Sequence, residues 1–212
     1  MEHCPLCRHD ASVLFHTDKF RIYLRCTVCD LVYVPDEMIL SSDRERERYL
    51  EHNNSIDDEG YIGFLSRSLL PLLNVCSAES RILDFGSGPV PVLSTLIKDL
   101  GLAVASYDPF FQNDESVLNA RYDVIISTEV FEHITNLSET LRLLFSILNS
   151  DGRLIIQTSF YPDKEAFRGW HYKNDLTHIR FFSMNTFVWA GNSLNATVTF
   201  PEADVTVMQK IL

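Results

Sequence analysis

Four cysteines, a pair of glycines, two acids and two histidines carry most of the chemistry open to this chain. Cys4-Pro5-Leu6-Cys7 and Cys26-Thr27-Val28-Cys29 are two C-x-x-C pairs separated by 18 residues. Thiols so spaced can surround one zinc ion tetrahedrally, each pair supplied by one tight turn. The other readings are disulfides or unligated thiols, and the lack of a secretory signal disfavours disulfides. Four protein ligands close the coordination sphere, so zinc held by Cys4, Cys7, Cys26 and Cys29 is structural. Further on, Asp84-Phe85-Gly86-Ser87-Gly88 follows a short apolar run and precedes a helical pattern through Leu93, Leu96, Ile97 and Leu100. Glycine is needed where backbone takes φ > 0 or approaches a ligand closely. A helix N-terminus beyond it offers free N–H groups. Asp108 ends a second apolar run, 24 residues after Asp84. In doubly wound sheets an acid at that point accepts hydrogen bonds from ribose hydroxyls.

The elements that must position these groups alternate along the chain. Strands are expected at 82–85, 103–107, 122–128, 153–158, 196–200 and 204–211, the last two joined by Pro201-Glu202. A strand at 20–24 is expected between the cysteine pairs. Helical spacing marks 61–73, 92–100 and a segment through Leu141, Leu144, Phe145 and Leu148 capped by Asn136 or Ser138. Ser183 caps a helix at 184–190, which Gly191 ends. Residues 43–48 alternate in charge sign, as a solvated helical face does. After them Tyr49, His52, Asn53, Asn54 and Tyr61 cluster aromatic rings and amides.

Residues 60–212 resemble the class I S-adenosylmethionine-dependent methyltransferases. Asp84, Gly86 and Gly88 match the family's acid-x-Gly-x-Gly-x-Gly turn, and Asp108 matches its second acid. Val90 replaces the third glycine, between Pro89 and Pro91, where a nicotinamide fingerprint would need glycine at 91. Proline removes an N–H donor, which counts against a pyrophosphate cradle. The resemblance implies an α/β fold: a doubly wound, mostly parallel Rossmann-like sheet of seven strands, or six here, with an antiparallel last strand, beside a small N-terminal zinc ribbon. It implies S-adenosylmethionine as cofactor, contacted by Asp84, Gly86, Gly88, Pro89, Asp108, Pro109 and Glu129, and methyl transfer by direct displacement.

Only 14 residues separate Asp108 from Asp123, too few for the usual third strand. Pro109 and Phe110 then wall the adenine, or Phe110 and Phe111 plug a shortened sheet edge. Residues 129–134, Glu-Val-Phe-Glu-His-Ile, resemble a segment of small-molecule methyltransferases that sets Glu129 and His133 toward the cleft. His133 is either a general base or a helix-start histidine bonded to neighbouring backbone. Residues 175–183 look like a loop in a methyltransferase group that includes quinone-ring and sugar methylases. There His178 deprotonates a nucleophile with Asp175 orienting it, or both simply stabilise the loop. The cluster around Tyr49 and Tyr61 resembles the lid over the cofactor pocket, and core packing explains Tyr61 and Phe64 as well.

A chain of 212 residues, 46% hydrophobic, can bury one ordinary core and a small appendage. The expected division is a ribbon at 1–40, a helical linker or lid at 41–75 and the methyltransferase domain at 76–212. With no long apolar stretch, no membrane span is expected, and the cytoplasm is the expected location. A net charge of -11 argues against a broad nucleic-acid face. The ribbon itself carries four basic residues (Arg8, Lys19, Arg21, Arg25) against six acids (Glu2, Asp10, Asp18, Asp30, Asp36, Glu37). The leading expectation is methyl transfer to a small-molecule substrate. An RNA methyltransferase gripping its substrate through the ribbon, and a non-catalytic protein that binds S-adenosylmethionine, are the alternatives.

Overall fold

The computed structural model describes residues 3–51 and 55–211. In chain order its elements are β1 (Ser12–Thr17), β2 (Ile22–Cys26), β3 (Val32–Tyr33), α1 (Ser42–Tyr49), α2 (Glu59–Leu73), β4 (Arg81–Phe85), α3 (Val92–Asp99), β5 (Ala103–Tyr107), β6 (Tyr122–Thr128), α4 (Leu137–Ile147), β7 (Leu148–Gln157), α5 (Lys164–Phe167), β8 (Arg180–Phe181), α6 (Met184–Ser193), β9 (Ala196–Glu202) and β10 (Val205–Lys210). Single 3-10 turns sit at Asp36–Met38, Glu115–Asn119, Phe131–His133 and His171–Asn174. Among the described residues no helix is long and apolar enough to cross a membrane.

The larger sheet has six strands in the order β5-β4-β6-β7-β10-β9. Strands β5, β4, β6 and β7 run parallel, and β10 is antiparallel to both β7 and β9. Helices cover both faces of the parallel part, so its strands read as nearly continuous apolar runs: Ile82, Leu83, Val124, Ile125, Ile126, Leu154, Ile155 and Ile156 are all buried. Helix α3 turns Val92, Leu93 and Ile97 inward, and α4 turns Leu137, Leu141, Leu144 and Phe145 inward, at helical spacing. The third strand of the seven-stranded pattern is replaced by the turn Glu115–Asn119, which leads directly into β6. Strand order reverses between β4 and β6, and in such sheets the crevice at that reversal receives the ligand.

A second sheet, β1-β2-β3-β8, joins the N-terminal segment to the far end of the chain. Val32 pairs with Phe181 and Tyr33 with Arg180, both antiparallel. Arg180 is fully buried, and its guanidinium donates to the carbonyls of Val34 at 2.9 Å, Thr135 at 3.2 Å and Ile134 at 3.3 Å. Cys4, Leu6, Leu31 and Tyr33 therefore share one core with Ile125, Phe131 and Phe182.

Several local expectations differ from the structure. The ribbon strand lies at Ile22–Cys26, two residues later than 20–24, and Phe20 is exposed. Neither Asn136 nor Ser138 caps α4 with its side chain; instead the amide of Ser138 donates to the carbonyl of Pro5 in the first cysteine turn, 3.1 Å away. Gly191 does not end α6, which continues to Ser193. A Cβ at 191 would lie 2.3 Å from Cγ2 of Val198, so glycine there lets β9 close on the helix. Pro201 and Glu202 belong to β9, and the turn falls at 203–204. His52, Asn53 and Asn54 lie outside the described residues.

Candidate active site

Strand β4 ends at Phe85, and the chain reverses through Gly86 and Gly88 at φ +84° and +68°. These values are costly for any residue with a Cβ. At Gly86 a Cβ would also meet Cγ2 of Val130 at 2.3 Å. The turn is fastened to the next strand: the amides of Gly86 and Ser87 donate to the carbonyl of Tyr107, at 2.7 and 3.2 Å. Asp108 accepts from the amide of Gly88 at 2.9 Å on Oδ2, and from Phe110 and Phe111 at 2.9 and 3.1 Å on Oδ1. A carboxylate has about four lone-pair sites, which leaves one on Oδ2 for a ligand hydroxyl.

Around this turn opens a cavity of about 750 Å³, within the usual range for small-molecule sites. Gly86, Gly88, Pro89, Asp108, Pro109, Glu129, His133 and His178 all line it. Asp84 does not. Its carboxyl lies fully buried beneath the turn, accepting from the Ser94 hydroxyl at 2.7 Å, and so ties β4 to α3. Burial, against the pull of Ser94, raises it to about 6. Glu129 holds a left-handed backbone, φ 54°, and its Oε1 is buried without a hydrogen-bond partner. Burial and the charge of Glu132 push its carboxyl well above the usual carboxylate range. A left-handed non-glycine backbone and an unpartnered buried oxygen thus coincide at one residue of the cavity wall.

The other wall carries the imidazoles. Nδ1 of His133 lies 3.0 Å from the carbonyl of Thr177, and Nδ1 of His178 lies 2.7 Å from the carbonyl of Tyr172. A carbonyl only accepts, so each Nδ1 carries a hydrogen, which in a neutral ring places the lone pair on Nε2. The partner of His133 is thus backbone across the cleft, 44 residues away, and not its own helix start. Burial, with His133 beside it, lowers His178 to about 3, so this ring stays neutral. The orienting group on His178 is Tyr172, where Asp175 was expected. The carboxylate of Asp175 accepts from the amide and hydroxyl of Thr177, at 3.0 and 2.6 Å, and pairs with Arg48 at 3.2 Å. Burial opposes ionisation, yet the Thr177 bonds bring Asp175 down to about 2.

Behind that wall lies a residue not singled out in the sequence. Glu132 is fully buried, accepting from Tyr172 at 2.7 Å and from Thr158 at 2.9 Å. Its signal was present in Glu-Val-Phe-Glu-His, which puts two acids and a histidine on one turn. Helix α1 crosses the mouth: Tyr49 sets its ring edge-to-face on His133 at 5.1 Å and on Phe110 at 5.7 Å, and Arg46 lies over Phe111. Tyr61 and Phe64 line the cavity from α2.

The cysteines converge away from this cavity. Cys4 Sγ lies 3.5 Å from Cys29 Sγ, Cys7 Sγ 3.4 Å from Cys26 Sγ, and all four sulfurs fall within 4.8 Å of one another. A tetrahedral zinc with bonds near 2.3 Å sets its sulfurs about 3.8 Å apart, so the set fits that ion. The two turns repeat one geometry: Arg8 and Asp30 donate to the carbonyls of Cys4 and Cys26, and both take φ near 65°.

A glycine turn, an acid on the next strand and a cleft at the strand reversal define a class I S-adenosylmethionine-dependent methyltransferase. Residues 57–199 match the family described as a methyltransferase domain, and the chain belongs to that family. Among curated proteins none matches it by sequence. Solved structures share the fold at low identity. A chain in the complex of the Haloferax volcanii Trm112 methyltransferase activator with a methyltransferase is 15% identical, TM-score 0.55, covering 79% of this chain and 97% of that one. Magnesium protoporphyrin IX methyltransferase from Synechocystis PCC 6803, solved with SAH, is 13% identical, TM-score 0.53, covering 80% and 95%. Human N-acetylserotonin methyltransferase in complex with SAM is 13% identical, TM-score 0.50, covering 69% of this chain and only 51% of that longer one.

Proposed function

We propose that this protein transfers a methyl group from S-adenosylmethionine to a small-molecule acceptor, and that one observation carries the reading. The Gly86–Gly88–Asp108 turn opens into the same cavity as the imidazoles of His133 and His178, each held through Nδ1 by a backbone carbonyl. Gly86, Gly88, Pro89 and Pro109 bring backbone close to the cofactor, Asp108 takes a ribose hydroxyl and Glu129 takes a polar group of the cofactor on its unpartnered oxygen. Asp84 acts from beneath by holding the turn. When bound, S-adenosylmethionine supplies a methyl carbon on a sulfonium whose departure leaves a neutral thioether. The chain's residues hold the acceptor in line with that carbon, which alone contributes on the order of 7–11 kcal/mol. With the cofactor bound, the acceptor's lone pair would take the methyl carbon as the carbon–sulfur pair stays on sulfur; the acceptor's proton would pass to Nε2 of His133, while His178, held neutral, would orient the acceptor by a hydrogen bond. Asp175 fixes the loop that carries His178.

The division into ribbon, lid and catalytic domain enters this reading as a set of roles. Cys4, Cys7, Cys26 and Cys29 hold a structural zinc. Helix α1, fastened to Phe110, Phe111 and Asp175, serves as the lid, excluding water from a sulfonium that water would otherwise reach. Calorimetric titration with S-adenosylmethionine, followed by a screen of small hydroxyl, amine and carbon acids for methyl uptake, tests the whole. Micromolar binding and one methylated acceptor support it; no binding by zinc-loaded protein overturns it.

A further inference from the structure

Where His133 and His178 line the cavity, with Glu132 fully buried behind them, one ligand atom each of Glu132, His133 and His178 lies within 4.8 Å of the other two, and Glu132 Oε1 stands 3.8 Å from Nε2 of His133. The two rings meet edge to face with centroids 4.7 Å apart. We infer that these three residues form a second metal site, distinct from the cysteine cluster, which takes one divalent transition-metal ion and through it the oxygen of a hydroxyl-bearing acceptor. This deepens the methyltransferase reading of the same cavity and rests on it for the acceptor.

The outer contacts are those a metal site needs. Metal-binding imidazoles donate their remote N–H to a carbonyl or carboxylate, which fixes the tautomer and aims the ring. Both rings do so here, through Thr177 and Tyr172, on a segment pinned by the Val32–Phe181 pairing and by the bond from the Ile179 amide to the Glu132 carbonyl, 2.8 Å. The carboxylate is steadied by Tyr172 and Thr158 while each oxygen keeps a lone pair. Glu129 brings a carboxyl with a buried, unpartnered Oε1 to the same cavity. Two imidazoles and a carboxylate on one face form the set that binds divalent iron, manganese or zinc and leaves positions open. Bonds of about 2.0–2.2 Å draw such ligand atoms to roughly 3–4 Å, a closure of about an ångström.

An ion there binds the acceptor hydroxyl and lowers its pKa. The O–H bond breaks with the proton released to water at the cleft mouth. The oxygen pair then forms the bond to the methyl carbon, and the carbon–sulfur pair leaves with sulfur. The imidazoles then orient the acceptor through the ion instead of taking its proton.

The test is titration of zinc-loaded full-length protein with Mn2+, followed by the resonance of the free ion. Thiolates favour zinc, so Mn2+ reports the new site and not the ribbon. One equivalent is expected to bind, with nitrogen-14 couplings from imidazole in the pulsed spectrum and at least tenfold weaker binding in Glu132→Gln and His178→Gln. No Mn2+ uptake, or uptake without nitrogen couplings, overturns the site whether or not the variants fold. Binding undiminished in both folded variants also overturns it. S-adenosylmethionine titration of the same sample separates the two readings: cofactor binding without Mn2+ uptake removes only the metal, and Mn2+ uptake without cofactor binding removes only the methyl donor.

Discussion

The amide of Gly88 donates to Oδ2 of Asp108 over 2.9 Å, so the glycine turn itself aims the acid of the neighbouring strand. Asp108→Asn nearly keeps the shape but sets an amide N–H₂ or a weaker carbonyl against three backbone donors. Hydrogen bonds to charged groups contribute about 1.5–3 kcal/mol, so S-adenosylmethionine affinity is expected to fall by about 10- to 100-fold. Calorimetry checks this, and an affinity within twofold of the parent would remove Asp108 from the ribose.

Gly86→Ala meets two obstacles, the φ of +84° and the Val130 methyls at 2.3 and 2.7 Å from the new Cβ. The expected outcome is a loss of about 1–3 kcal/mol of stability together with cofactor affinity. Adding Val130→Ala removes the overlap and leaves the dihedral, so the double variant should recover part of the stability. Urea unfolding of all four proteins gives the coupling.

Asp84 predicts a pH dependence. Its folded pKa, about 6, stands above its ordinary 3.8, so the fold favours the protonated acid. That contribution is fully present below about pH 4 and is lost as pH rises through 6. Asp84→Asn keeps a neutral side chain at every pH. It should therefore gain stability relative to the parent, by on the order of 2–3 kcal/mol at pH 8, and lose the advantage near pH 4. Melting curves across that range decide it, and a pH-independent difference would contradict the buried-acid account.

Removing the zinc proposed for the four cysteines should loosen a segment far from them in sequence. Strand β8 is the edge of the ribbon sheet and follows directly on His178. Chelation, or Cys29→Ser, is expected to lower Tm and to raise amide exchange at residues 178–182 as well as 26–34. Exchange confined to the ribbon would show the two parts to be uncoupled.

The residues legible in the sequence were those whose chemistry is local. The glycine turn, Asp108, the two cysteine pairs and the missing third strand each follow from spacing within some 25 residues, and the alternating apolar runs carried the order of strands. What stayed hidden depends on which way side chains face once the chain is folded. Nothing near Arg180 says that its guanidinium will be swallowed by the carbonyls of 34, 134 and 135. Nothing near His178 says that Tyr172 will take the place assigned to Asp175. Asp84 was misread for a related reason: the motif reports that an acid stands at the strand end, but the Ser94 hydroxyl ten residues on decides which way it faces.

The pairing of Val32 with Phe181 spans 149 residues of chain. At synthesis rates of about 5–20 residues per second, roughly 7–30 s pass between the emergence of one partner and the other. Throughout that interval the nascent β3 has an open edge, and an open edge accepts any extended segment that reaches it. Slower elongation lengthens the wait, while zinc captured early shortens the list of shapes the waiting segment can adopt. With zinc held by the four cysteines as proposed, the yield of correctly folded protein during expression is expected to fall both on zinc depletion and on slowed translation.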